Sequence, residues 1–194
     1  MRIATLTSVA AIALAAAACN NEQASNDIST EANLAEDTAA EDVLGGNAMP
    51  ADAAMPTDAS GFATAVAASD LYEIESSKLA ASKSSSAEVK TLAGQLITDH
   101  QKSTANLKTA ASQAKVTVTP ALDAEKQSMI DALKAADGAE FDRLFLTQQK
   151  TAHQKALTLL QSFASGGTDA PLKAFATKAS GVVEGHIEHL NSMR

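Results

Sequence analysis

The sequence predicts an all-α fold: a four-helix bundle with one extra short helix, up-down-up-down. Three observations carry this expectation. From residue 61 onward apolar residues recur every three or four positions, and only Val116-Thr117-Val118 alternates like a strand. The breaks between the periodic segments hold helix-capping and helix-stopping residues. The composition favours Ala, Leu, Lys, Gln and Ser, with one tyrosine and no tryptophan in the chain.

The first helix is expected from about Gly61 to Lys83, where Phe62, Val66, Ser69, Glu73, Ser76 and Ala80 share one stripe. Ser84-Ser85-Ser86 breaks that pattern, and Ser86 is placed to cap the next helix. Helix two is expected from about Ala87 to Ala114, with Val89, Leu92, Leu96, His100, Ser103, Leu107 and Ala110 on one face. Lys115 to Pro120 reads as a turn, with Thr119 capping and Pro120 at the first helical position of a short helix carrying Leu122, Met129, Ile130 and Leu133. Ala136-Asp137-Gly138 interrupts it. A new stripe then holds Phe141, Phe145, Gln149, Ala152, Ala156, Leu160 and Phe163, with His153 toward its edge. Gly166-Gly167 ends that helix and Pro171 opens the last one, which puts Leu172, Phe175, Ala179, Val182, His186, Leu190 and Met193 on one side.

The segments before the bundle read differently. Residues 1–18 form an export signal: Arg2, an apolar run from Ile3, and small residues Ala16-Ala17-Ala18 before Cys19, the single cysteine. The run is about sixteen residues, short of the ~20 that span a bilayer. It is similar to a lipoprotein signal, which makes Cys19 the lipidated N-terminus and the membrane a partner through that anchor. Asn20, where an Asp would favour inner-membrane retention, points to the outer membrane with the protein facing the periplasm. Residues 19–60 then read as a disordered acidic tether. From residue 20 to 60 it carries nine Asp or Glu, no Lys or Arg, and few large aliphatics, too little apolar surface to offset chain entropy. Its Met49-Pro50 and Met55-Pro56 pairs carry the thioether sulfur that suits Cu(I), but two isolated methionines in such a segment read as spacer.

Residues 61–194 form one domain, with fourteen acidic and fourteen basic residues. Neither part offers the basic face that nucleic acid requires, so no nucleic-acid partner is expected. With no further cysteine, the domain depends on its core rather than on a disulfide. No Ser/His/Asp arrangement or phosphate-cradling glycine loop is present, which argues against nucleophilic catalysis and nucleotide chemistry.

The run Leu71-Tyr72-Glu73-Ile74-Glu75-Ser76-Ser77-Lys78-Leu79-Ala80, then Asp99-His100, Phe141-Asp142, His153 twelve residues beyond Phe141, and His186 near the end resembles one bacterial envelope family, domain of unknown function 4142. The resemblance covers Phe62 to Met193. It implies a ferritin-like bundle in an exported protein, with no established reaction.

All four histidines, His100, His153, His186 and His189, fall in expected helices. Ferritin-like metal sites use inward carboxylates and Glu-x-x-His pairs. This chain has no such pair, and too few inward carboxylates for a di-iron oxidase. Glu73, His100, His153 and His186 can instead supply one ligand per helix to a mononuclear transition metal ion, with Glu75 and His189 in reserve. The bland alternative is that buried histidines pair with facing carboxylates and set the helix register. On sequence alone the preferred reading is a lipid-anchored, non-enzymatic envelope protein with a structural or stress-associated role. A metal-binding or redox protein comes next, and a bundle binding a protein partner or an apolar ligand third. Homo-oligomerisation is open.

Overall fold

The computed structural model describes residues 55–193. The expected export signal, Cys19 and the expected tether up to residue 54 lie outside the described residues. Five helices follow one another: α1 (Ala59–Lys83), α2 (Ala87–Gln113), α3 (Ala124–Ala135), α4 (Gly138–Gly166) and α5 (Ala170–Ser192). Among the described residues there is no strand, and no helix is long and apolar enough to cross a membrane.

Four helices begin on a side-chain cap. Asp58 Oδ1 accepts from Gly61 N at 2.8 Å, Ser86 Oγ from Val89 N at 3.3 Å, Asp123 Oδ1 from Lys126 N at 2.8 Å and Asp169 Oδ1 from Leu172 N at 3.0 Å. Each such cap typically contributes about 1 kcal/mol. The Asp58 cap starts α1 two residues earlier than the apolar stripe suggests. Helix α2 closes in a Schellman turn: Lys115 takes the left-handed conformation at φ 59°, Lys115 N donates to Ser112 O, and Val116 N to Ala111 O.

The segment after this turn departs from expectation. Thr119 and Pro120 do not open α3; Asp123 does, and residues 116–123 stay irregular. An extended stretch covers more than twice the distance per residue of a helix, and this segment has distance to cover.

The two core clusters fix the helix directions. One joins the start of α1 (Phe62, Val66), the end of α2 (Leu107, Ala111), the end of α4 (Leu160, Phe163) and the start of α5 (Leu172, Phe175). The other joins the end of α1 (Ala80), the start of α2 (Leu92, Leu96), the start of α4 (Phe141, Phe145) and the end of α5 (Leu190). So α2 and α4 run the same way, and the order is up-down-down-up. The expected up-down-up-down arrangement is corrected. Short breaks suggested antiparallel neighbours throughout, but residues 114–137, including α3, carry the chain back along the full bundle. Around the bundle the neighbours are α1, α2, α5 and α4, and α3 packs on α1 and α4. The seam between α2 and α5 has no such cover.

At one end Phe62 stacks on Phe163 with ring centroids 3.8 Å apart, and Phe175 meets Phe62 edge-on. On α5 the buried valine is Val183, and Val182 is 48% exposed, a one-position correction to the expected stripe. Between the two apolar clusters lies a layer of buried polar side chains from four helices: Asp70, Glu73, Ser76, His100, Gln149, His153 and His186.

Candidate metal centre

The stripes that bury Phe62 and Leu92 also carry polar residues inward, because a helix returns to the same face every three or four residues whatever the side chain. His100 from α2, His153 from α4 and His186 from α5 therefore meet in the middle layer. All three are buried, with exposures of 7%, 1% and 3%. One nitrogen of each lies within 4.8 Å of one nitrogen of each of the others. The ring centroids are 5.2–5.6 Å apart.

The outer nitrogen of every ring is held by a group that can only accept. His100 Nδ1 donates to Asp70 Oδ1 at 2.9 Å, His153 Nδ1 to the Gln149 carbonyl at 2.9 Å, and His186 Nε2 to Asp99 Oδ2 at 3.0 Å. Asp70 is itself fixed by Thr104 Oγ1 at 3.2 Å. In neutral imidazole the remaining nitrogen is then a lone-pair acceptor. His153 Nε2 and His186 Nδ1 face each other at 3.2 Å, and His100 Nε2 is buried with no partner. With all three rings neutral, three lone pairs face one buried point, an arrangement that a cation resolves.

Glu73 is fully buried on α1, 3.7 Å from His153 Nδ1 through Oε1, with Oε2 unpartnered. It stands behind the ring, beside the nitrogen already given to Gln149, rather than among the three inward nitrogens. Of the four expected ligands, the structure groups the three histidines and sets Glu73 next to them. His189 is outside the trio, and Glu75 pairs with Lys78 at the surface. Asp70 and the α5-facing role of Asp99 escaped the sequence reading. Asp70 precedes Glu73 by three residues on the same stripe, which was a usable signal. Asp99 diverges from its chain neighbour His100, and that divergence is what aims it at His186.

The electrostatics follow from burial and partners. Burial pushes the Glu73 carboxyl up to about 7, with His100 opposing. Burial drives His153 down to about 3, helped by the neighbouring imidazoles, and lowers His186 against the pull of Asp99. For His100 burial also disfavours the charge, but the Asp70 hydrogen bond and the nearby carboxylates outweigh it and raise the value. Protons are thus disfavoured on two of the three inward nitrogens.

These shifts set opposing pH limbs in the metal-free protein. His153 and His186 contribute fully above their ordinary 6.5 and lose that contribution as pH falls, for His153 toward about 3. Glu73 is stabilising below its ordinary 4.5 and loses that as pH rises through about 7, and His100 adds to the same limb above 6.5. Glu73→Gln should therefore stabilise the metal-free protein by about 1–3 kcal/mol at pH 8 and change it little at pH 4.5. Urea unfolding at the two pH values checks this, and an equal effect at both would show that Glu73 does not titrate in the fold.

The fold is shared by two solved structures. CopM in the Cu(II)-bound form is 20% identical, with a TM-score of 0.60, over 70% of this chain and 94% of that one. CopM in the Ag-bound form, obtained by co-crystallization, is 21% identical, with a TM-score of 0.57, over 70% of this chain and 93% of that one. No curated protein matches the chain. Residues 45–193, which take in the whole bundle and all three converging histidines, match the family described as Domain of unknown function (DUF4142), and the chain belongs to that family.

Proposed function

We propose that this protein binds one transition metal ion, copper foremost, through His100, His153 and His186, and does so in the bacterial envelope. The observation that carries the reading is the convergence of three imidazole lone pairs whose outer nitrogens are all tied to acceptors. That is the arrangement by which outer partners orient metal-binding histidines and raise their basicity. The donor set fits: imidazole suits Cu, Zn, Ni and Fe, and among divalent ions an all-nitrogen site holds Cu(II) most tightly. Two metal–nitrogen bonds of about 2.0–2.1 Å span at most roughly 4 Å, and the three nitrogens lie within 4.8 Å of one another, so a bound ion asks for little movement. The copper- and silver-bound forms of CopM, on a shared fold, support the same choice.

The single long crossover through α3 supports a ferritin-like bundle. Its carboxylates, however, orient imidazoles rather than forming a di-iron set. The same Asp70–His100 and Asp99–His186 pairs tie α1 to α2 and α2 to α5, so they also serve the register that the structural reading asks of them. The apolar run before Cys19 supports a lipid anchor at the outer membrane, with the domain facing the periplasm and the acidic tether between.

The test is titration of the untagged full chain with Cu(II) and Zn(II) against a competing chelator. One equivalent of copper per chain is expected, with an electron paramagnetic resonance spectrum split by imidazole nitrogens. Free metal should stabilise the fold by RT ln(1 + [L]/Kd), about 4 kcal/mol at a thousandfold excess over Kd, read as a rise in the thermal midpoint. A protein that takes up no stoichiometric metal, with an unmoved midpoint, would return the histidines to a purely structural role.

A further inference from the structure

The crossover covers the α1–α4 side of the bundle and leaves the α2–α5 seam open. Along that seam runs a groove of about 540 Å³, within the 300–1,000 Å³ usual for small-molecule sites. It extends on α2 from Asp99 to Gln113 and on α5 from His186 to Pro171. At 1.5 Å per residue, that is about 20 Å. His100 and His186 form its inner end, whereas His153 and Glu73 do not line it. The side of the histidine cluster away from His153 therefore opens into the groove.

The walls differ in chemistry. Val66, Leu160, Phe175 and Val183 give it an apolar floor, while α2 presents Ser103, Asn106 and Thr109. Val182 sits on its lip and, with Met55, is one of the two large apolar side chains left exposed among the described residues. Lys102 lies one turn from the histidine end and Lys178 further along the opposite lip. Neither makes an ion pair among the described residues.

Charge selects the head group. Asp70 and Asp99, which hold the outer nitrogens of His100 and His186, balance a divalent ion there, and Glu73 does not line the groove. Lys102 then leaves one uncompensated positive charge at the inner end. A monoanion neutralises it, and an apolar chain continues along the floor where Lys178 can lay its methylene stem over it.

We propose that the α2–α5 groove binds a single-chain carboxylate amphiphile, its head against the metal ion and Lys102 and its chain along Val66, Leu160, Phe175 and Val183. This rests on the metal reading above, because without the ion the two aspartates at the inner end repel an anion. The three-histidine set would leave a bound ion a coordination position toward the groove, because His100 and His186 line its inner end.

The experiment uses the full chain loaded with Cu(II), titrated with dodecanoate below its micelle concentration, with dodecanol and acetate as comparisons. Copper content is read at every point. Dodecanoate should saturate at one equivalent and shift the copper resonance spectrum, with dodecanol and acetate each binding at least tenfold more weakly. Lys102→Gln should weaken dodecanoate three- to tenfold. Ala179→Trp, which fills the middle of the groove, should abolish binding, and Ala174→Trp on the exposed lip should weaken it where the inner substitution disturbs folding. All three variants should keep one copper. Dodecanoate binding no better than acetate, dodecanol binding equally well, or indifference to both tryptophans would each overturn the proposal while leaving the metal site standing. A wild-type protein that never takes up copper would instead overturn the metal reading beneath it, and the copper measurement separates the two.

Discussion

Replacing His153 with Leu is expected to remove the thermal response to copper while leaving the metal-free fold within about 1 kcal/mol of the wild type or above it. His153 is 1% exposed and contributes one of three inward nitrogens. Its loss leaves two donors and should cost well over a hundredfold in affinity, beyond the 10–100-fold typical of removing an outer partner. Asp70→Asn and Asp99→Asn, which touch the outer rather than the inward nitrogens of His100 and His186, should fall within that smaller range. The metal-free fold tolerates the change because leucine is close in volume and the one firm partner of the ring is a carbonyl inside α4 already served by the helix. Removing a lone pair that faces His186 Nδ1 at 3.2 Å even relieves a conflict. Copper titration and urea unfolding of the same variant read the two effects separately. A variant that binds copper like the wild type, or that unfolds outright, would mean the trio is not what it is taken to be.

Phe163→Ala should have the largest effect on stability, about 3–5 kcal/mol, a large share of the 5–15 kcal/mol that holds a domain together. The ring is 1% exposed, stacks on Phe62 and packs against Gly167 so closely that a Cβ there would lie 2.7 Å from it. The neighbours that could fill the hole, Leu160 and Phe175, are set by helices tied together at both ends, so collapse is limited. His153 lies ten residues away on α4, about 15 Å along the axis, so copper stoichiometry should survive at temperatures where the variant is folded. Urea unfolding gives the first number and metal analysis the second. A loss under 1 kcal/mol would show that this end of the core repacks freely.

Much of this protein is written in its local sequence. Apolar residues at three- and four-residue spacing gave all five helices, and Ser86, with its hydroxyl in reach of Val89 N, marked the start of α2. His100 and His186 were legible as core histidines for the same reason, since each sits in the middle of an apolar stripe. His153 looked peripheral because Ala152 and Ala156 draw the apolar stripe away from it; the structure turns that helix so that Gln149 and His153 face inward and the two alanines lie half-covered.

What the helix period cannot carry is the relation between elements. A stripe says which face is buried and nothing about what it is buried against. So the direction of α4, the Asp70–His100 and Asp99–His186 pairings and the position of Glu73 behind His153 had no local signature. The crossover decided them: residues 114–137 return the chain along the α1–α4 side and make α2 and α4 parallel. That path places three histidines from three helices at one height and leaves the α2–α5 seam uncovered. The sequence determined an all-helical chain with histidines in its core, because those features depend on residues within a few turns of one another. Whether those histidines meet, which nitrogens they present and where their cluster opens was decided only by tertiary packing, because the groups involved lie 30 to 87 positions apart and are brought together by the fold alone.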